Sequence, residues 1–267
     1  MKSAVARGAL AVAAVTVLGL TAACSGSGDD GKGKSEGAGA GGGKPSKSAS
    51  ADTSSATAKL EKAALASGDV EKYKVEVTKG SGAKTTRPAR RVDPAQCGPL
   101  SEMLTAAAPA KSTAHVSRTL SGTDVADTTT TEVVLLAYGR ADAERTMDTL
   151  RTATKSKKCV TFGDGGRRYI GVRPQPGPVV GDEAVSYKLA SRAGEFLDRD
   201  RVTVVRSGST LIAFRASNVF DPEAARSDEE GEAAGLPEKF RGGATGDPKV
   251  ADAIVDAQLA KLKAAKK

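Results

Sequence analysis

Few residues of this 267-residue chain have side chains suited to catalysis or metal binding. They are three cysteines, Cys24, Cys97 and Cys159, and one histidine, His115. A Ser–His–Asp hydrolase would need His115, and no G-x-S-x-G elbow stands between a strand and a helix. The strand-like setting of His115 predicts a surface or sheet-edge residue, and a zinc site needs several histidine or cysteine ligands. The sequence therefore predicts no catalytic residue, no metal ligand, no cofactor and no enzymatic activity.

One glycine-rich segment invites comparison with a phosphate-binding loop. Residues 163–166 read Gly-Asp-Gly-Gly, but no G-K-[ST] follows and no helical pattern begins there. We therefore expect a hairpin turn between two strands.

The N-terminal segment has the features of an export signal. Lys2 and Arg7 give a positive start, residues 8–20 form an apolar run, and three small residues precede Cys24. The run is shorter than the roughly 20 apolar residues that span a bilayer, and it suits a cleaved signal. Residues 20–24, Leu-Thr-Ala-Ala-Cys, resemble the lipobox of exported bacterial lipoproteins, although an aliphatic residue is commoner where this chain has Thr21.

The lipobox resemblance implies a cellular location. Residues 1–23 would be a lipoprotein signal peptide, Cys24 would receive a diacylglycerol, and the protein would be lipid-anchored to the cell membrane on its extracytoplasmic side. The alternative is an ordinary secretory signal with an incidental cysteine.

With Cys24 assigned to lipid, Cys97 and Cys159 remain. A non-reducing compartment favours a disulfide between them. In the chain-entropy model, closing so long a loop stabilises a fold by about 4 kcal/mol. The alternatives are two buried thiols and a redox pair, and the chain has no C-x-x-C arrangement to support redox catalysis.

Composition divides the rest of the chain in two. Residues 25–58 contain no aromatic or large aliphatic residue, so they cannot bury enough surface to offset the entropy of ordering. We expect residues 24–58 to be the lipidated cysteine and a flexible tether, with a reach of roughly 30 Å. Residues 59–267 are predicted to form a single domain.

Apolar periodicity predicts the elements of that domain. Strands are expected near 73–78, 115–120, 128–138, 157–162, 167–172, 181–189, 202–206 and 210–216. Helices are expected near 58–67, 97–108, 141–155 and at the C-terminus, where Asp247 is the predicted N-cap. Segment 191–200 is predicted as a charged turn and 217–246 as a long polar loop. This order lacks regular β–α alternation, so the predicted class is α+β: a mostly antiparallel sheet with helices packed on one side.

Several blocks together resemble the extracellular sensor domain of mycobacterial PknH-type serine/threonine kinases, which also occurs in actinobacterial lipoproteins. The blocks are Gln96-Cys97, 138–143, Lys158-Cys159, 181–184 and 202–209, within roughly residues 70–262. The resemblance implies an α+β domain with a central antiparallel sheet and a cleft for a small ligand. That family tends to carry two disulfides and tryptophan. This chain has one cysteine pair beside Cys24 and no tryptophan, so no binding residue is carried over.

The chain is basic, with a formal net charge of +8. Lys84, Arg87, Arg90 and Arg91 form a cluster that could meet anionic lipid or wall polymer; exposed charge without a binding role is the alternative. Nine aromatic residues offer little for stacking bases, and nucleic acid is not an expected partner.

Two functions remain open. The first is a membrane-anchored, non-catalytic sensor-like or small-ligand-binding lipoprotein, and the second is an accessory envelope lipoprotein that contacts cell-wall polymer or a partner protein. An apolar pocket would favour the first, and a filled core with a flat basic face the second.

Overall fold

The structure is a computed structural model. It describes residues 47–79, 81–82, 91–105, 109, 111–124, 127–235 and 246–266, with the backbone alone at 47–53 and 231. The described helices are α1 (Lys47–Ala63), α2 (Gly98–Glu102), α3 (Arg140–Lys155), α4 (Pro222–Ala233) and α5 (Asp252–Ala264). The described strands are β1 (Tyr73–Val77), β2 (Val92–Asp93), β3 (Ala114–Gly122), β4 (Thr130–Ala137), β5 (Phe162–Asp164), β6 (Arg167–Gln175), β7 (Glu183–Ala193), β8 (Phe196–Ser207) and β9 (Thr210–Phe220).

The nine described strands form one sheet in the order β1-β3-β4-β9-β8-β7-β6-β5-β2. Every neighbouring pair is antiparallel. The longest strands, β7, β8 and β9, are joined by tight hairpins that close at Ala193–Phe196 and Ser207–Thr210. The predicted α+β class with a mostly antiparallel sheet is confirmed, as is the hairpin predicted around residues 207–209.

The sheet is covered on both faces. Successive residues of a strand point to opposite faces, and Val204 and Leu211 belong to one hydrophobic cluster while their neighbours Val205 and Ile212 belong to another. We call the first face the α3 face, because it packs against α2 and α3. The second is the α1 face, because it packs against α1 and α5. The prediction that the helices lie on one side of the sheet was wrong, because the central strands are apolar on both faces.

A disulfide holds the helical layer of the α3 face together. Cys97 and Cys159 are bonded and fully buried, and their Cα atoms lie 5.6 Å apart. Each ends a short 3₁₀ turn, Ala95–Cys97 before α2 and Lys157–Cys159 after α3. The predicted Cys97–Cys159 disulfide is therefore present, and it joins the two helical segments on this face.

On the α1 face, a buried amide connects the ends of the described chain. The Gln258 side chain of α5 donates to the carbonyl oxygen of Ala63 at 2.6 Å and accepts from the amide of Leu65 at 3.3 Å. Arg118 of β3 donates to the Leu65 carbonyl oxygen at 2.9 Å. These bonds satisfy the backbone where α1 ends, so α1 and α5 form one layer.

Helix α1 begins at Lys47, inside the segment that composition predicts to be a flexible tether. Its sequence is rich in alanine, the residue with the highest helix propensity. Leu60 and Ala63 are buried against the sheet. Packing of this last turn gives the helix the tertiary support that a short isolated helix lacks.

The predictions for segments 191–200 and 217–246 were wrong, because their many charged residues suggested a turn and a loop. The first was predicted as a charged turn, but β7 and β8 run through it and only Gly194 and Glu195 form the turn. The second was predicted as a long loop, but β9 continues to Phe220 and α4 follows. Asp221 is the N-cap of α4, and its carboxylate accepts from the amides of Glu223 (2.8 Å) and Ala224 (3.2 Å). Residues 236–245 lie outside the described residues.

Two other boundaries differ from the predicted ones. Helix α2 ends at Glu102, well short of residue 108. Asp247 is not a helix cap, because its carboxylate accepts a hydrogen bond from Lys188 Nζ at 2.6 Å, and α5 begins five residues later. The side chain that looks like a cap is used for a tertiary ion pair.

Candidate functional site

An open pocket lies beside the hairpin that joins β5 and β6. Its volume is about 710 Å³. Three arginines, Arg91, Arg167 and Arg168, line it together with the glycine turn at residues 165–166. We call it the hairpin pocket. The remaining lining residues are Asp93, Pro94, Thr161, Phe162, Gly163 and Asp164.

The sequence builds this hairpin from a glycine turn and an aromatic pair. Gly165 and Gly166 both have positive φ, 55° and 97°, which glycine adopts without the steric cost that other residues meet. Next to the turn, the rings of Phe162 and Tyr169 stack with centroids 5.0 Å apart. The predicted hairpin turn at residues 163–166 is confirmed, and Phe162 of the stacked pair lines the pocket.

Asp164 fixes the hairpin to the helical layer. Its side chain is 3% exposed, and one carboxylate oxygen accepts a hydrogen bond from the Ser101 hydroxyl of α2. The other oxygen, Oδ1, has no hydrogen-bond partner among the described residues. A buried carboxylate is costly unless its oxygens are bonded, so the described residues leave one acceptor unsatisfied on a residue that lines the pocket.

A second buried charge cluster continues from the pocket along the α3 face. Arg215 of β9 donates to Asp200 of β8 at 2.8 Å and to the carbonyl oxygen of Leu104 at 2.9 Å. Burial raises the pKa of Asp200, and nearby Arg215 opposes that rise. Burial also raises the pKa of Glu132 on β4. Asp200 Oδ2 has no hydrogen-bond partner in the described part of the chain.

Two buried tyrosines lie on the strands between Asp164 of β5 and Asp200 of β8: Tyr169 is on β6 and Tyr187 is on β7. Tyr187 is fully buried, and its hydroxyl donates to the Leu100 carbonyl oxygen at 3.0 Å. Burial raises the pKa of both Tyr187 and Tyr169, so both hydroxyls stay protonated and act as neutral hydrogen-bonding groups.

The pocket lining holds three arginines against two aspartates, Asp93 and Asp164, so positive charge is in slight excess. Arg167 approaches Asp198 at 3.6 Å, whereas Arg91 and Arg168 have no ion pair within the described ranges. All three arginines are exposed. Guanidinium groups bind phosphate and carboxylate groups through paired hydrogen bonds. The pocket therefore suits an anionic group.

Only some of the residues singled out from the sequence are among those that the structure describes. Arg91 lines the hairpin pocket, while Lys84, Arg87, Arg90 and Cys24 lie outside the described residues. His115 was predicted at the surface or a sheet edge, but it is 3% exposed. It lies on β3, which pairs with a strand on each side, so it is neither at the surface nor at a sheet edge.

Sequence reasoning missed Arg167 and Arg168 as pocket residues. The signal that could have found them was their place directly after the Gly163–Gly166 turn. Two arginines at the start of the returning strand stand next to the residues that the turn exposes. Asp164 was also missed, because nothing in its sequence neighbourhood points to Ser101, 63 residues away.

The described residues contain neither a metal-binding group nor a membrane-spanning helix. No group of three or more His, Cys, Asp or Glu side chains there could hold a metal ion. In the same residues, no helix combines the length and apolar character needed to cross a membrane.

No known protein family and no curated protein matches this sequence. Several solved structures are similar to it, among them two mycobacterial proteins. One is an uncharacterised protein of Mycobacterium smegmatis, the Rv0999 ortholog, with 12% identity and a TM-score of 0.40 over 78% of this chain and 95% of the other. The second is the extracellular domain of PknH from Mycobacterium tuberculosis, with 8% identity and a TM-score of 0.38 over 80% of this chain and 90% of the other. At these values neither neighbour carries an argument about what this chain binds, and its function is argued from its own residues.

Proposed function

We propose that this chain is a lipid-anchored, extracytoplasmic lipoprotein whose folded unit binds a small anionic ligand in the hairpin pocket without catalysis. The observation that carries the ligand site is the grouping of Arg91, Arg167 and Arg168 around an open pocket of about 710 Å³. The lipid anchor rests on Cys24 and on the apolar segment that precedes it.

The pocket's chemistry supports binding of an anion with an apolar or aromatic portion. The three guanidinium groups supply the charge, and the Phe162 ring supplies an apolar wall beside them. Pockets of a few hundred Å³ with a few converging polar groups are the usual setting of small-ligand sites. A ligand bound in the pocket would contact residues of β2, β5 and β6 at once.

A non-catalytic role follows from the groups that surround the pocket. Burial raises the pKa of Tyr169, which makes it a poor general base at neutral pH. The nearby carboxylate of Asp164 is bonded to Ser101. Ser101 itself is 5% exposed and does not line the pocket, so its hydroxyl is not presented to a bound ligand, and the pocket supplies charge for recognition.

The test is native mass spectrometry of the protein purified from its own host. We expect a reproducible bound mass on the unaltered protein that is lost in the Arg91→Gln/Arg167→Gln variant, because the two charges that hold the anion are gone. The matched control is Arg145→Gln/Lys155→Gln, which removes two exposed cations from α3. Equal occupancy in both variants, or no bound mass on the unaltered protein, would refute the proposed site.

A further inference from the structure

A second concentration of positive charge lies on the α1 face, outside the area covered by α1 and α5. On β7, Ala184 belongs to the α1-face cluster, so Lys188 and Arg192, at even spacing from it, share that face. On β8, Val205 belongs to the same cluster, which places Arg199 and Arg201 there too. We call this area the basic surface. Its six cations are Arg168, Arg173, Lys188, Arg192, Arg199 and Arg201.

Strand register brings these cations together. Arg173 of β6 is opposite Lys188 of β7, and Lys188 is opposite Arg201 of β8. Neighbouring strands are about 4.8 Å apart, so three charges stand in one row across three strands. Further along the same two strands, Tyr169 of β6 is opposite Ser191 of β7. Arg168 and Arg192 are the next residues of these strands, and they extend the charge toward the β7–β8 turn.

Neutral acceptors hold two of these arginines in place. Arg201 donates to the side-chain oxygen of Gln175 at 3.2 Å and to the Pro176 carbonyl oxygen at 3.3 Å. Arg199 donates to Asn218 Oδ1 at 3.2 Å, and its guanidinium carbon lies 4.5 Å from the centre of the Phe220 ring. The neutral partners of Arg201 fix its guanidinium without cancelling its charge.

Little acidic charge opposes the basic surface. Asp247 bonds Lys188 at 2.6 Å and lies 3.7 Å from Arg199. Arg168, Arg173 and Arg192 are exposed and have no hydrogen bond or ion pair within the part of the chain that the structure describes. Asp93 lies on the same face, two strands from Arg168. The surface therefore keeps a clear excess of positive charge.

We infer that the basic surface docks the folded unit onto an anionic phospholipid bilayer. Five of its six cations are arginine, the side chain that pairs best with phosphate. Its cations come from three adjacent strands, β6, β7 and β8, so the surface can meet several headgroups at once.

The chain that leads to the folded unit also favours a bilayer as the occupant. This step rests on the proposed lipid anchor at Cys24. Residues 25–46 precede α1, which packs on the same face of the sheet as the basic surface. The composition of residues 25–46 predicts a flexible tether with a reach of roughly 25 Å, which would keep the basic surface within reach of the headgroups. Weak charge contacts then suffice, because the tether raises the local concentration.

The test separates docking from anchoring by using the chain without acyl groups. Residues 25–267, which contain every described element, would be sedimented with vesicles of 30% phosphatidylglycerol in phosphatidylcholine and with pure phosphatidylcholine. We expect binding to the anionic vesicles alone, weakened by added salt. Each cation near an anionic surface contributes about fivefold to binding, so Arg173→Gln/Arg192→Gln should bind about twenty-fold more weakly.

Two control variants and a separate binding test with a phosphodiester polymer decide the outcome. Arg145→Gln/Lys155→Gln removes the same charge elsewhere and should lose much less binding. Arg91→Gln/Arg167→Gln, the pocket variant, should also bind vesicles nearly as well as the unaltered chain, so failure of the pocket leaves docking intact. Equal loss in all three variants would overturn the proposal, because net charge alone would then explain binding. Retention by a phosphodiester polymer without vesicle binding would overturn it as well, and would assign the surface to the polymer.

Discussion

At the scale of single residues, Glu183 joins the sheet to the helical layer. It accepts from Arg206 of β8 at 2.6 Å, and Arg151 of α3 binds its other oxygen. The preceding Asp182 accepts from Arg206 at 2.9 Å and from the amide of Gly208 at 2.7 Å. Gly181 has φ of +67°, and a Cβ there would lie 2.4 Å from the Arg206 carbonyl oxygen. Residues 181–183 thus form a structural clamp, and they lie outside the hairpin pocket.

The clamp predicts a pH-dependent stability. Burial acts to raise the pKa of Glu183, but Arg206 and Arg151 outweigh it and hold that pKa below its ordinary value. A carboxyl group with a lowered folded-state pKa stabilises the fold above its unfolded-state pKa, and this contribution is lost as pH falls through the folded-state value. We expect Glu183→Gln to lower the free energy of unfolding by about 1 kcal/mol at pH 7.

Urea unfolding at several pH values measures this difference. The gap between the unaltered protein and Glu183→Gln should close between about pH 5 and pH 2, because protonated Glu183 resembles glutamine. Glu195→Gln, at the exposed β7–β8 turn, is the control for removal of a carboxylate. A gap that stays constant down to pH 2 contradicts the assigned role of the two arginines.

At the scale of elements, the disulfide positions α2 beneath the hairpin pocket. It spans 62 residues of sequence between Cys97 and Cys159. Restricting a loop of this length in the unfolded chain contributes about 4 kcal/mol. Cys97→Ser/Cys159→Ser should therefore lower the free energy of unfolding by roughly that amount, seen as a lower urea midpoint. Dithiothreitol should lower the midpoint of the unaltered protein to that of the variant and leave the variant unchanged; a reductant-insensitive midpoint in the unaltered protein would contradict this.

The elements also show what sequence patterns can predict in this chain. Strands with a regular apolar period, such as β3 and β4, and the amphipathic helix α3 lie where periodicity places them. Segment 191–200 was misread because its charged residues alternate between two faces: Arg199 lies on the basic surface, while Asp200 is buried against Arg215. The pocket was not predicted because β2 meets β5 across about 70 residues of sequence. Local patterns contain no information about such a pairing.

At the scale of the whole molecule, the two faces of the sheet divide the proposed roles. The hairpin pocket draws on β5, β6 and the α3 face, while the basic surface occupies the open part of the α1 face. Arg168 lines the pocket and also lies on the basic surface, so the two regions meet at β6. A bilayer bound to one would lie close to a ligand bound in the other.

The anchor proposed at Cys24 can be tested on the whole cell. Cys24→Ser should abolish incorporation of labelled palmitate and move the protein from the membrane fraction to the medium, or leave it unprocessed. Docking through the basic surface would retain part of the released protein, and a wash in high salt should remove that part, because exposed charge contacts are screened. The urea midpoint should not change, since residue 24 precedes every described element. Ser25→Ala is the matched control; a salt-resistant, palmitate-labelled membrane fraction in Cys24→Ser would refute the lipid assignment.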